Sequence, residues 1–166
     1  RLNQPILQRT ETLANQYRQG FIALKNSGWN PDLVISHSGW GCGTYVKEVW
    51  RKCKQISYLE WWFDPESDFY RYDAENKYLK GISESFEKHW LRNQSLALQL
   101  SVSDTIISPT YWQRAQLPES LRNRCHVIFD GIDLSRFNPI ENNSTIRENI
   151  ITYGTRGMDP IRSFPQ

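Results

Sequence analysis

Residues 32–50 constrain this chain more than any other stretch. Residues 32–36 (DLVIS) form a short unbroken apolar run announced by Pro31. The run ends in the loop 37–43 (HSGWGCG), and residues 44–50 (TYVKEVW) read as a helix. Strand, glycine loop and helix in that order make a βα unit. An unbroken rather than alternating run predicts a strand buried on both faces of a parallel sheet. The alternation then recurs along the chain. Residues 7–26 carry Leu13, Tyr17, Phe21 and Leu24 at helical spacing, with Gly28 where a C-terminal cap falls. Further strands are predicted at 55–60, 105–108, 126–129 and 149–153, and helices at 74–100 and 111–115. In the longer helix Tyr78, Ile82, Phe86 and Trp90 follow at steps of four. The expected fold is therefore α/β: a Rossmann-like parallel sheet flanked by helices, with right-handed crossovers.

Ligands of such sheets bind outside the carboxyl ends of the strands, where this sequence concentrates its suggestive residues. Three glycines in five positions (Gly39, Gly41, Gly43) let a ligand approach main-chain N–H groups, and a helix N-terminus follows. Ser38, Gly39, Trp40 and Gly41 are the candidate substrate contacts in that loop, although a plain tight βα turn uses glycine equally well. Glu60 stands at the next strand end, followed by Trp61, Trp62 and Phe63. A carboxylate accepts from sugar hydroxyls and aromatic faces stack on sugar rings. Core packing is the expected role of at least two of the three rings, while Glu60, an acid after a buried strand, needs a partner. Gly154, Arg156 and Arg162 follow the last predicted strand and suggest a phosphate clamp, because arginine offers phosphate a planar fork.

Several other chemistries fail on spacing. A hydrolase elbow needs small residues two positions either side of its nucleophile, but Trp40 is one of those neighbours for both Ser38 and Cys42. Cys42 and Cys53 are separated by ten residues, and Cys125 is adjacent to His126, so no zinc spacing is present and no metal is expected. An odd, sparse set of three cysteines suits a reducing cytoplasm better than a disulfide framework. Twenty Lys and Arg against eighteen Asp and Glu leave a net charge of +2, which excludes a strongly basic nucleic-acid binder. No apolar run approaches the roughly 20 residues of a membrane span, and no amphipathic basic helix argues for membrane attachment. Seven Trp, eight Tyr and seven Phe are too many for a disordered chain. The sole methionine is Met158 and the chain opens with RLNQPILQRTE, which reads as a piece of a longer protein.

Four segments, in order, resemble one family. Residues 130–139 (DGIDLSRFNP), directly after a strand, closely resemble the "NGvDtxxFxP" hinge segment of family 4 glycosyltransferases. Residues 31–37 (PDLVISH) are similar to their "PDvvhxH" strand, and residues 103–109 (SDTIISP) to their "aDxiiaxS" strand. Residues 151–164 resemble "xxvGRxxxxKGf", which opens the donor-binding domain. The resemblance implies the GT-B architecture, two Rossmann-like domains facing across a cleft. Residues 1–140 would be an acceptor-side domain lacking its first strand, 141–148 a linker, and 149–166 the first strand and loop of the donor-binding domain.

The resemblance further implies a retaining enzyme that moves a sugar from a nucleotide-sugar to the hydroxyl of a carbohydrate or glycolipid acceptor. The nucleotide-sugar is a substrate, and no separate cofactor is expected. His37 matches the family's cleft histidine beside the transferred sugar, and so is the catalytic candidate. Arg156 and Arg162 match the pair on the donor diphosphate, with Thr155 inserted after Gly154 and Arg162-Ser163 in place of Lys-Gly. Asp130 replaces a common Asn, a change expected to matter little. Without the downstream E-x7-E segment that contacts the donor, this piece alone is expected to be inactive. Two readings compete: a non-catalytic Rossmann-like domain that binds a nucleotide or sugar, and a hydrolase built on Ser38 or Cys42. The residues leave oligomeric state open.

Overall fold

The computed structural model describes residues 6–67 and 86–138. In chain order these hold α1 (Ile6–Asn26), β1 (Leu33–His37), α2 (Val46–Val49), β2 (Lys54–Tyr58), α3 (Phe86–Val102), β3 (Thr105–Ser108), α4 (Tyr111–Ala115), α5 (Glu119–Arg122) and β4 (Cys125–Val127). The four strands form one parallel sheet in the order β1-β2-β3-β4. This is the expected Rossmann-like α/β arrangement. The predicted linker 141–148, the strand 149–153 and the helical pattern over 74–85 lie outside the described residues.

Strand order explains where the core sits. Each connection steps the same way along the sheet, so right-handed crossovers bring the described connecting helices to one face. Burial follows that geometry. Gln55 and Ser57 on β2, and Ile106 and Ser108 on β3, are fully buried, whereas their sequence neighbours in the strands are only partly covered or exposed. The expectation that residues 32–36 are buried on both faces is therefore overturned. On β1, Leu33 is 46% and Ile35 61% exposed, because β1 is an edge strand and the described helices cover only its other face.

The covered face holds two apolar clusters. One joins Leu59, Trp62, Leu96, Leu100, Ile106, Leu117, Leu121 and Cys125, and the other Val46, Val49, Trp50 and Cys53 with Phe21, Ile22 and Val34 against them. Each such aliphatic side chain contributes about 1.5–3 kcal/mol by leaving water. α1 ends at Gly28, whose φ of 91° is the left-handed conformation a helix-terminating glycine adopts. Beyond that turn Trp29 meets Trp50 edge-on at 5.6 Å, while Phe21 packs on the same ring at 5.3 Å. The Arg18 guanidinium donates to both oxygens of Glu48 at 3.0 and 2.7 Å, tying α1 to α2. That contact holds the Glu48 carboxyl below its ordinary range.

Several expected details differ. On α1, Tyr17 and Leu24 are exposed, and Ala14 is buried instead, because the helix lies closest to the glycine loop there. On α3, Trp90 is half exposed, and the inward row is Asn93, Leu96, Gln99 and Leu100. The step-of-four series thus does not mark the buried face at its described end. Residues 44–50 form only a four-residue helix, and β2 ends at Tyr58, leaving Glu60 just beyond it. β4 ends at Val127, with Phe129 exposed, and the short α5 after Pro118 was not anticipated. α4 matches its predicted bounds, and its cap is explicit: the Thr110 hydroxyl accepts from the Gln113 N–H at 3.1 Å.

Candidate functional site

The carboxyl ends of β1 and β2 form the floor of a cavity of about 440 Å³. Its walls are the N-terminal part of α1 (Leu7, Arg9, Thr10, Leu13), the loop His37–Trp40, the segment holding Glu60, Trp61 and Phe63, and Arg92, Ser95 and Leu96 of α3. His37, Ser38, Gly39, Trp40 and Glu60, named from sequence, all line it. Gly41 sits behind the wall, and Gly154, Arg156 and Arg162 lie outside the described residues.

The loop is held from below by a buried polar network. Gln99 is fully buried. Its amide nitrogen donates to Ser57 Oγ at 3.0 Å, Ser36 Oγ at 3.2 Å and the His37 carbonyl at 3.4 Å, and its oxygen accepts from the Gly43 N–H at 3.2 Å. Gln55 Nε2 donates to the Gly43 carbonyl at 2.7 Å. A Cβ on Gly43 would collide with Ser36 Oγ and the Gln99 amide, so only glycine fits. Gly41 has a φ of 72°, and a Cβ there would stand 3.0 Å from both Ala14 Cβ and the Thr10 carbonyl of α1. These glycines serve chain geometry and close packing, whereas Gly39 contributes a directed contact: its N–H donates to His37 Nδ1 at 2.9 Å.

Register sets the histidine's surroundings. His37 pairs with Tyr58 across β1 and β2, and side chains alternate with period two, so Glu60 follows Tyr58 on the His37 side. Glu60 Oε2 is 3.2 Å from His37 Nε2, although Glu60 is exposed and its position, contrary to expectation, does not demand a partner. The Tyr58 and His37 rings are 5.6 Å apart, and the Trp40 ring is 6.5 Å from His37. Tyr58 Oη donates to the two oxygens of Asp130 at 3.0 and 2.9 Å. Burial, and then the Asp130 hydrogen bond, push the Tyr58 phenol up to about 12. Asp130 thereby ties the segment 130–138 to the site, and an Asn there would still offer one acceptor oxygen.

Of the three rings after Glu60, Trp62 is in the core while Trp61 and Phe63 line the cavity, one core ring rather than the two expected. Trp61 continues outward onto Trp112 at 5.4 Å. Sequence reasoning missed Gln99, Gln55 and Tyr58. Their only signal was polarity at positions expected to be apolar or merely strand-forming.

The arrangement does not suit a hydrolase. Among the described residues Ser38 Oγ is buried without a hydrogen-bond partner, so no base among them holds it. Burial pushes the Cys42 thiol up, the reverse of an activated thiolate, and its S–H donates to the His37 carbonyl at 2.9 Å. All three cysteines are free. Among the described residues, no three His, Cys, Asp or Glu side chains gather closely enough to hold a metal ion, and no helix is long and apolar enough to cross a membrane.

A run of parallel strands that the described helices cover on one face, with a cavity at the strands' carboxyl ends, defines a Rossmann-like α/β domain with a candidate binding cleft. Residues 5–137 match the model of the glycosyl transferase family 4 group, and the chain belongs to that family. It is thus a glycosyltransferase-type domain that handles sugar donor and acceptor substrates in the general sense of its family. No curated protein and no solved structure matches the chain.

Proposed function

We propose that this chain is the acceptor-side part of a retaining, hexosyltransferase-type enzyme that moves a sugar from a nucleotide-sugar to a hydroxyl of a carbohydrate or glycolipid acceptor. The observation that carries the reading is the family match over 5–137 together with His37 in the wall of the cavity beyond β1. Exposed Trp40 and the cavity faces of Trp61 and Phe63 offer stacking surfaces, and Glu60 offers an acceptor for hydroxyl protons. A pyranose fits such walls, and the volume admits a mono- or disaccharide end.

In this reading the donor is held chiefly by a second domain, of which residues 149–166 are the opening segment. Arg156 and Arg162, with Gly154 allowing close backbone approach, neutralise the departing diphosphate. This stabilisation requires no metal. Free thiols in all three cysteines accord with a cytoplasmic location.

Isothermal titration of the intact enzyme with UDP- and GDP-sugars tests the donor side. Arg156→Ala and Arg162→Ala are each expected to weaken donor binding about tenfold or more, the worth of a charged contact to phosphate. Unchanged donor affinity in both variants removes their assigned role. Chromatographic analysis of the transferred anomer tests retention.

A further inference from the structure

His37 is gripped on both ring nitrogens, and the two grips differ in kind. On one side the Gly39 N–H donates to Nδ1 at 2.9 Å, so Nδ1 must present a lone pair. A neutral imidazole carries a single proton, which then resides on Nε2. Nε2 faces Glu60 Oε2 at 3.2 Å, and a carboxylate can only accept. The two contacts therefore agree on one tautomer, with Nε2–H donated to Glu60. The Tyr58 ring, packed 5.6 Å away, limits rotation of the imidazole.

Glu60 is itself fixed at its main chain. Its carbonyl accepts from Gln113 Nε2 at 2.7 Å, and the Gln113 side-chain oxygen accepts from the Thr110 hydroxyl at 2.7 Å, at the cap of α4. The carboxylate thus springs from a point tied to β2, β3 and α4 together. Its side chain is 60% exposed, so solvation alone would satisfy it, and its approach to His37 is not forced by burial.

We propose that Glu60 is a positioning residue: it acts through His37, accepting the Nε2–H and so fixing ring plane and tautomer, while the Gly39 N–H on Nδ1 leaves no ring lone pair free to act as a base. The role rests on the reading of the site as a sugar-transfer cleft, but the ring state is measurable without it. The carboxylate does for this histidine what an outer carboxylate does for a metal-bound or triad histidine, setting ring plane and proton position.

The test begins with the unsubstituted full chain. Long-range nitrogen–proton NMR correlations at about pH 8, where an ordinary imidazole is neutral, report the protonated nitrogen of each histidine. His37→Asn identifies its signals by their disappearance. The expected state is Nε2–H; an Nδ1–H ring in the unsubstituted chain overturns the proposal with no variant needed. In Glu60→Ala the Nε2–H proton is expected to exchange with water about tenfold faster, a loss on the scale of one hydrogen bond. Glu60→Gln, whose amide oxygen still accepts, should restore slow exchange. Unchanged exchange in Glu60→Ala, or no restoration by Gln, overturns the proposal.

A second arm uses the intact enzyme. Glu60→Ala should lower kcat several-fold with little change in KM for the donor. Added to His37→Ala, it should cost nothing further, because its effect runs through the ring. Losses that multiply in the double variant would show Glu60 acting on substrate directly and would overturn the positioning role. If no sugar transfer is found at all, the proposed function fails while the NMR result still decides the state of His37.

Discussion

The two neighbourhoods packed beneath the sheet's covered face use opposite chemistry, and α3 serves both. Leu96 and Leu100 of that helix join Leu59, Ile106, Leu117 and Leu121 under β2 and β3. Gln99, one residue before Leu100, turns instead to Ser36, Ser57 and Gly43 under the loop. Apolar contact is non-directional and scales with area, so the first neighbourhood supplies stability but tolerates small shifts. Hydrogen bonds are directional, and their groups are costly to leave unpaired, so the second fixes where the loop and His37 stand. The sheet thus separates the task of holding the fold from the task of placing the site.

Substitutions in each neighbourhood can break or sharpen that division. Leu100→Ala is expected to have the largest effect on stability, about 2–5 kcal/mol, since the side chain is fully buried. Urea denaturation measures it, and sugar binding well below the melting temperature should survive. Gln99→Leu should cost less, about 1–3 kcal/mol for the unpaired Gly43 N–H, yet it should weaken ligand binding by displacing the loop. Binding retained in Gln99→Leu and lost in Leu100→Ala would reverse the division.

Two pH effects follow at smaller scale. Asp104 accepts from Lys47 Nζ at 2.5 Å and from the Gln55 N–H at 2.8 Å, and the Lys47 contact foremost holds its carboxyl below the ordinary range. A depressed folded-state value means stabilisation present above the unfolded value and lost as pH falls through the folded one. Asp104→Asn should therefore cost about 0.5–1 kcal/mol near neutrality, because solvent screens a side chain that is 35% exposed, with the gap to the unsubstituted chain closing in acid. Tyr58 behaves in the opposite sense. Its phenol is raised from 10.0 to about 12, so its contribution is present below the unfolded value and fades as pH rises between those limits. Tyr58→Phe should cost about 0.5–1.5 kcal/mol at neutral pH and flatten the alkaline arm of the stability profile, as followed by thermal melts.

The legibility of the sequence follows the same division. Strands β1 to β4 and helices α1, α3 and α4 were readable because apolar runs, glycine and proline punctuate them. His37, Ser38, Gly39, Trp40 and Glu60 were readable as site residues because they sit at strand ends, where parallel sheets bind ligands. Burial on β1 was misjudged because an unbroken apolar run says nothing about which face a crossover covers. Gln99, Gln55 and Tyr58 escaped notice because a polar residue shows its worth only when its partners, distant in sequence, are in view. Trp90 shows the converse: a large apolar side chain at helical spacing need not face the core, and this one is half exposed.

The central claim is that this cleft serves sugar transfer with His37 at its working edge. Release of nucleoside diphosphate by the intact enzyme, supplied with nucleotide-sugars and a panel of saccharide acceptors, measures it most directly. The account predicts acceptor-dependent release that falls by about 10²-fold in His37→Ala, the scale of removing one well-placed polar group from a transition state. Release that is undiminished in that variant, from a protein that still folds, would contradict it.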